Sequence, residues 1–384
     1  MNKKVVRSLV PSSLLLFLLL GPVVLLATEG ADAPAGPSYR LEEIWHIERG
    51  DDPPYSLFDP ELNSIPPALM GVMLDDEDNL YLSDAITEKL LKIRPDGSEA
   101  FAVGSVGEGP EDHLGQGEPL RWPGCGIARS DYSQQPKVIC YDEEGHFQRA
   151  IPLEGFDLYL RLWGLPDGGL GVALKMYGSP AGGMKVRIYL TRLDPDGALL
   201  DSLMIKQASY PPMGTSRELT EADFEINPRV AIAEDGRLYV QRDMYRWVIE
   251  CFDSHLRPLW VCSRDVSPRM RTEAELAAIE TKTGLPPSPR EHVIRRIVPR
   301  AGGEIWIETL PTERTPDGAV LLDRIGREGE SLSRVTLAGL PDAEGDYEIS
   351  GDRLLWKLDD DAPPDAGKSP YLAVYRIVPM KASG

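Results

Sequence analysis

Residues 71–104 read GVMLDDEDNLYLSDAITEKLLKIRPDGSEAFAVG, and how this stretch divides decides the fold. Four short alternating runs stand in it: Gly71–Leu74, Asn79–Asp84, Lys89–Pro95 and Glu99–Gly104. A polar turn, Asp75 to Asp78, separates the first two, and Pro95-Asp96-Gly97 separates the last two. Residues of these types tolerate the backbone angles of a tight reversal. The stretch therefore predicts a four-stranded antiparallel meander, which alone leaves apolar faces uncovered and calls for repetition.

Degenerate copies follow. The first turn recurs at Trp122-Pro123-Gly124, Leu165-Pro166-Asp167-Gly168, Glu234-Asp235-Gly236, Ala301-Gly302-Gly303 and Ser350-Gly351-Asp352. An alternating strand comes after each: CGIARSD, GLGVAL, RLYVQRD, EIWIET and RLLWKLD. The second turn recurs at Asp142–Gly145, Asp194–Gly197, Asp253–His255 and, more loosely, Arg324–Gly326. Six units result between residues 68 and 380, the last with three evident strands. Leu41–Ile47 (LEEIWHI) supplies its fourth. The expected fold is all-β: a six-bladed β-propeller of four-stranded antiparallel blades, its last blade closed by the N-terminal strand, with one inserted helix. Radial repetition of this kind protects sheet edges.

Asn79 to Asp112, NLYLSDAITEKLLKIRPDGSEAFAVGSVGEGPED, resembles the first blade of secreted bacterial six-bladed propellers of the NHL-like group. That group follows the blade with a Gly-x-Gly-Pro-Gly-Glu-type segment. Here the segment reads Gly107-Glu108-Gly109-Pro110-Glu111-Asp112, with Glu111 in place of a glycine. The resemblance spans roughly residues 40 to 380 and is specific over the first two blades. It implies a fold and a location, and no reaction.

The N-terminus reads as a targeting segment. Lys3, Lys4 and Arg7 precede the apolar run Leu14–Ala27, too short and too abruptly ended for a spanning helix. Residues 1–27 are thus expected to be a signal peptide cleaved after Ala27, the other option being a retained N-terminal anchor. Residues 28–38 form a flexible linker and 39–384 one propeller domain, since closed all-β architectures run long as single domains. Once the signal is removed, the chain is expected to be secreted or periplasmic, not integral to a membrane, and a monomer. Its 61 acidic and 41 basic residues give a formal net charge of -20, which excludes nucleic acid and anionic membrane as partners.

An even number of cysteines in an exported chain favours disulfides. Cys125 and Cys140 fall on the second and third strands of the second unit. Cys251 and Cys262 fall on the third and fourth strands of the fourth. Both pairs are expected to lie opposite one another, near bonding distance. The alternative is buried free thiols. Zinc is disfavoured because neither pair has CxxC spacing.

Loop length carries the functional signal. Turns between the first and second, and the third and fourth, strands of each unit are short. The remaining connections are long: Met176–Met184, Leu310–Asp317 and Asp359–Ser369 inside units, and Ser105–Glu118, Gln207–Glu225 and Ser267–Arg290 between them. In a four-stranded blade the long class emerges at one face, where function is expected. The 267–290 connection predicts a helix starting at Thr272, striped by Leu276, Ile279 and Ala277, and ended by Gly284 and Pro286-Pro287. It would serve as a lid on the rim or as a docking helix. A weaker helical patch runs over 215–223.

No G-x-S-x-G, H-E-x-x-H or phosphate-binding glycine loop occurs. The ligand-binding face is expected to carry Asp84, Glu111, His113, Arg121, Trp122, Asp131, Arg161, Arg229, Asp243 and Arg295, with Arg296 beside the last. Asp84, Asp131, Asp243 and Asp359 share one position after the second strand, suited to capping their own loops. His113, alone on its loop, is expected to face solvent. The arginines sit near the starts of first strands and would offer charge-assisted bonds to an anionic or carbohydrate ligand. Asp359, Asp360 and Asp361 are the weak candidates for a metal, calcium, though without EF-hand spacing; no other cofactor is evident. The sequence thus points to a binding module for another protein or a small polar or carbohydrate ligand, with no catalytic activity evident. The alternative is a metal-assisted hydrolase or lyase acting in the axial channel.

Overall fold

A computed structural model describes residues 25–27, 35–47, 72–83, 89–114, 117–131, 135–178, 184–210, 228–283, 287–310, 312, 315–316, 318–341, 345–358 and 372–380. Two strands precede the repeats, β1 (Leu25–Ala27) and β2 (Ala35–Ile47). The opening meander is β3 (Val72–Leu74), β4 (Leu80–Ser83), β5 (Leu90–Ile93) and β6 (Glu99–Val103), paired antiparallel in chain order. The second comprises β7 (Pro119–Leu120), β8 (Ile127–Asp131), β9 (Lys137–Tyr141) and β10 (Phe147–Pro152). The third has longer strands: β11 (Leu158–Leu165), β12 (Gly168–Gly178), β13 (Met184–Leu193) and β14 (Leu199–Tyr210). The fourth contains β15 (Arg229–Ile232), β16 (Leu238–Gln241), β17 (Val248–Phe252) and β18 (Pro258–Ser263), with β1 added in parallel at its edge.

After helix α1 (Glu273–Thr283) come β19 (Ile294–Pro299), β20 (Ile305–Thr309), β21 (Val320–Ile325) and β22 (Arg334–Ala338). The chain finishes with β23 (Gly345–Ser350), β24 (Arg353–Leu358) and β25 (Leu372–Pro379). These seven strands and β2 make one eight-stranded sheet, because β2 pairs antiparallel with β25 and in parallel with β22. Leu41–Ile47 is thus the outer strand beside β25, in register Leu41 with Ile377 and Ile47 with Leu372. Among the described residues no helix is long and apolar enough to cross a membrane.

Alternation along each strand builds apolar layers between neighbouring sheets. Tyr81, Leu90, Ile127, Ile139 and Tyr141 fill the space between the first two meanders. Leu120, Trp122, Val138, Tyr159 and Leu162 fill the next, and comparable layers follow around the molecule. One further layer joins Trp45, Leu355, Leu372 and Val374 at the end of the chain to Leu80, Leu82, Leu91 and Ile93 near its start. First strands of neighbouring sheets approach one another. The arrangement is all-β and propeller-like.

The short turns share one device. Asp142 Oδ1 accepts from the amides of Glu144 and His146, at 3.1 and 2.7 Å. Asp194 Oδ1 does the same for Asp196 and Ala198, and Asp253 Oδ1 for His255 and Arg257. The third residue after each aspartate needs a positive φ: Gly145 at 90°, Gly197 at 85°, and in the fourth meander Leu256 at 59°. Leucine is tolerated because its side chain is buried with Phe252 in the neighbouring apolar layer.

Two expectations are corrected here. Cys125 and Cys140 form a disulfide, but Cys251 and Cys262 are free and buried. The β17–β18 register sets Cys251 against Trp260 and Cys262 against Ile249. The two thiols are therefore diagonal rather than opposite, beyond a disulfide's reach, and burial pushes the Cys251 thiol up to about 12. Arg121 and Trp122 also lie at the other end of the molecule from the long loops. Strand β7 spans only two residues, so both belong to the turn that follows it. Arg121 pairs with Asp76 of the β3–β4 turn at 3.3 Å. Trp122 donates from Nε1 to Pro195 O at 3.0 Å and packs where Gly169 has no Cβ.

Helix α1 begins with a capping box. Glu275 N donates to Thr272 Oγ1 at 3.3 Å, and Thr272 N donates to Glu275 Oε2 at 2.7 Å. Arg269 holds Glu275 and Glu291 together, at 2.9 and 2.7 Å. Leu276 and Ile279 are half-buried and Ala277 is exposed, so the helix buries only a narrow stripe. The patch at 215–223 lies outside the described residues.

Candidate functional site

Long connections enter β7, β15 and β19, and the shorter ones into β11 and out of β8 and β16 lie at the same end. At this end the structure gathers His113, Asp131, Arg161, Arg229, Arg295 and Arg296. Asp84, Asp359, Asp360 and Asp361 lie outside the described residues. Glu111 is exposed on the loop that carries His113. Asp243 is also at this end, but its Oδ1 accepts from Tyr245 N at 2.9 Å and it pairs with Arg246. It caps its own loop.

His113 overturns the expectation that it faces solvent: it is only 2% exposed. Its loop folds back on itself. Gly107 N donates to His113 O, His113 N donates to Ser105 O, and Asp112 Oδ2 accepts from Gly109 N at 2.9 Å. The imidazole is thereby pressed against β8. There Arg129, 1% exposed, points its Nη1 at His113 Nδ1, 3.3 Å away. Guanidinium can only donate, so Nδ1 accepts and the neutral ring carries its proton on Nε2, which has no hydrogen-bond partner. Asp131, on the same face of β8, accepts from Leu114 N at 3.3 Å. Tyr141 closes the group; burial pushes its hydroxyl up to about 12, and the oxygen is unpartnered. Gly104 has no side chain to fill the space: a Cβ there would lie 3.5 Å from both Arg129 Nη1 and Tyr141 Oη.

Burial, reinforced by Arg129, pulls the His113 imidazole from 6.5 down to about 4. Between those values the unfolded chain binds the proton more readily than the folded one. Stability is therefore full above about pH 6.5, falls as pH drops toward about 4, and gains no further penalty from this group below that. The expected loss is about 3 kcal/mol. Urea midpoints of wild type and His113→Gln, measured from pH 7.5 to 3.5, should diverge through this window, with the variant flatter. Parallel curves would assign the acid sensitivity to other groups.

Nearer the first strands lies a carboxylate not expected from the sequence. Glu118 immediately precedes β7 and is 9% exposed. Its backbone N donates to Ser130 Oγ at 2.9 Å, and its O accepts from Ser130 N. Gly117 permits this closeness, because a Cβ there would fall 1.4 Å from Ser130 O. The side chain reaches toward β11, where Arg161 Nε stands 3.6 Å from Oε2. That is an ion pair, too long for a hydrogen bond. Oε1 is buried with no partner, and burial raises the carboxyl above the usual range against the pull of Arg161. Arg161 in turn lies over Trp163, 5.3 Å from the ring centre. A glycine-anchored carboxylate closing a long loop was the signal available in the sequence.

Across the molecule, Arg229 Nη1 donates to Arg295 O, linking β15 to β19. A bulge between Ile294 and Arg296 makes Arg295 the extra residue, which turns consecutive arginines toward one carboxylate. Glu308, on β20, receives Arg296 Nε at 2.9 Å and Arg295 Nη1 at 3.5 Å. The long-loop end thus presents arginines from three consecutive sheets, with Glu118 and Glu308 set among them.

At the opposite end, ligand atoms of Asp142, Glu144 and His146 lie within 4.8 Å of one another. Asp142 Oδ1 is occupied by the turn amides there.

Neither a protein-family model nor a curated protein sequence matches the chain. Solved structures similar to it include a presumed exported protein of Bacteroides fragilis, with TM-score 0.47 and 10% identity over 90% of this chain and 99% of that one. Virginiamycin B lyase from Staphylococcus aureus gives 0.41 and 10%, over 89% and 100%. Regucalcin, a calcium-binding protein from Agrobacterium tumefaciens, gives 0.39 and 13%, over 90% and 97%. At these scores and identities the likenesses assign neither a blade count nor an activity to this chain.

Proposed function

We propose that this chain is an exported binding module that takes its ligand at the long-loop end of a six-bladed, NHL-like propeller. In this reading residues 1–27, β1 included, are a removed signal peptide, and the mature protein is secreted or periplasmic. The eight-stranded sheet is two blades joined where β2 lies along β22. The apolar layers between neighbouring sheets, with one layer joining the end of the chain to its start, support that count.

One observation carries the functional reading. Arg161, Arg229 and Arg295 come from the first strands of consecutive sheets and gather at one end of a chain whose net charge is -20. Positive side chains concentrated against such a background favour a polar ligand there over the acidic surface elsewhere. Structural ion pairing uses part of this charge, through Glu118 and Glu308.

Hydroxyl-radical footprinting of the mature protein tests this, with and without the low-molecular-mass fraction of the producing culture. Protection should fall on the exposed long-loop residues, Leu114 among them, and alanine at Arg161, Arg229 and Arg295 together should remove it. Protection confined to the short-turn end, or none at all, would overturn the reading. The second reading, a metal-assisted hydrolase or lyase using calcium or another cation, is favoured by the Asp142, Glu144 and His146 group. Its position at the short-turn end, away from the axial arginines, sets it behind. Elemental analysis before and after EDTA dialysis decides it: a stoichiometric, chelator-sensitive metal would move the assignment to the enzyme.

A further inference from the structure

Beyond Leu174, where β11 stops pairing, β12, β13 and β14 run on together as a three-stranded ribbon to Gly178, Met184 and Tyr210, at the long-loop end. Its two faces differ. On one, Leu174 and Val186 are buried in the apolar layer shared with the fourth meander. On the other stand Lys175, Tyr177, Lys185, Arg187 and Tyr189, with Lys175 directly opposite Arg187 and Tyr177 directly opposite Lys185. Lys185 is exposed and the other four are half-buried. Residues 168–193 hold Lys175, Lys185, Arg187 and Arg192 and neither Asp nor Glu, in a chain with 61 acidic residues.

Like charges set opposite one another on a ladder are destabilising, and the fold does not relieve the Lys175–Arg187 pair with a carboxylate. Lys175 Nζ donates to Gly155 O at 3.4 Å, and Arg187 Nε donates to Gln207 Oε1 at 3.0 Å. Arg187 lies 4.8 Å from the Tyr177 ring centre, with Tyr189 also in reach. These neighbours are all neutral. Asp157, at the foot of the ribbon, turns its Oδ2 to Met176 N at 2.6 Å. Arg192 is met by Asp167 at the short-turn end. Three cations thus share one accessible face with no ion-pair partner among the described residues.

Charge complementarity calls for an anion, and the pitch of the strand selects its form. Lys185, Arg187 and Tyr189 follow one another at alternate positions of β13, about 7 Å apart. An extended peptide repeats its side chains at that same pitch. Two carboxylates at alternate positions meet Lys185 and Arg187, the second also within the field of Lys175. The next alternate side chain falls beside Tyr189, which has Phe156 5.1 Å away and so suits an apolar group. A long anionic polymer would extend past this patch onto the acidic surface of a chain of net charge -20, whereas a short segment stays within about a screening length of the cations.

We infer that the ribbon face of Lys175, Tyr177, Lys185, Arg187 and Tyr189 docks an extended acidic segment of a partner protein, with carboxylates at two alternate positions and an apolar side chain at the third. The inference rests on the binding reading above and names the partner class for that end of the molecule.

The test titrates the mature full chain into fluorescein-labelled peptides and reads anisotropy. The probes are ETETLT and its reverse LTETET, the control EETTLT with its acids adjacent, and KTKTLT with the charge inverted; trigalacturonate serves as competitor. One of the alternating acidic peptides should bind best, and more weakly as salt rises. Lys175→Gln, Lys185→Gln and Arg187→Gln together should weaken it about tenfold, as the loss of three exposed charge pairs implies. Arg94→Gln, an exposed cation at the short-turn end, should leave it unchanged. Lys175→Gln alone should weaken binding without lowering the thermal midpoint, because it also removes one of two facing like charges. Equal binding of EETTLT would overturn the pitch, and stronger binding of trigalacturonate would overturn the partner class. Binding that survives the triple glutamine variant but is lost with alanine at Arg161, Arg229 and Arg295 would overturn this face and keep the binding reading. If no peptide binds, the inference falls; the broader reading falls with it only when footprinting also shows no protection at the long-loop end.

Discussion

Replacing Glu308 by alanine should cost about 3–5 kcal/mol of folding stability. Glu308 is 1% exposed. Its Oε2 accepts from Arg296 Nε at 2.9 Å and from Tyr347 Oη at 2.8 Å, and its Oε1 accepts from Thr312 Oγ1 at 2.7 Å. Arg296 also lies 3.9 Å from the Tyr347 ring centre and donates to Tyr347 O. The network ties β19 and β20 to β23. Removing the carboxylate deprives a largely buried guanidinium of its Glu308 countercharge, and that desolvation, more than the lost attraction, sets the cost. Exchanging both partners, Glu308→Leu with Arg296→Met, should therefore recover most of the loss. Urea unfolding at neutral pH reads both results. A single variant within 1 kcal/mol of wild type would mean that solvent reaches Arg296.

The disulfide comes next. Cys125 and Cys140 are 15 residues apart, and a loop of that length restricts the unfolded chain by about 3 kcal/mol. Alanine at both positions, or reduction, should lower stability by that amount. Cys251 and Cys262 provide an internal control. Thiol titration without reductant should find none reactive in the folded protein and two after unfolding. The loop closed by the bond contains β8, with Arg129 and Asp131, so loss of the bond should also loosen the strand against which His113 is held. A double variant as stable as wild type would place the restraint in the β8–β9 pairing instead.

Much of this architecture was legible in the sequence because turns are local. The Asp-x-x-Gly spacing places an acceptor, two donors and a positive φ within five residues, and Asp142, Asp194 and Asp253 all fold as that chemistry requires. Strand register is not local in this sense. Cys251 and Cys262 looked opposite by counting outward from their turn. The shift between Cys251 and Phe252 displaces the pairing and leaves them diagonal. The end of the molecule at which a residue lies depends on strand length, and β7 is too short to hold Arg121 and Trp122 at the long-loop end.

The site was read unevenly for the same reason. Arg161, Arg229 and Arg295 could be placed from strand order. The burial of His113 depends on a loop closing through Asp112, and on Gly104 leaving room beside Arg129. Glu118 was missed because the pair it makes with Arg161 joins two neighbouring sheets, a contact that spacing along one strand does not show.

The pairing of β2 with β25 has a consequence for the order of assembly. Its two strands lie far apart in sequence: Trp45 stands before the repeats, and Val374, its partner in the ladder, at their end. Most other strand pairs join neighbours in sequence and can form as they emerge, the exceptions being β1 with β18 and β2 with β22. Strand β2 must instead wait, as an open edge, until β25 is made. Closure across so long a separation is the slow step that such topologies impose, and an open edge is where a nascent chain associates wrongly. A chain stopped before Leu372 loses more than one strand. It forfeits the layer that joins its end to its beginning.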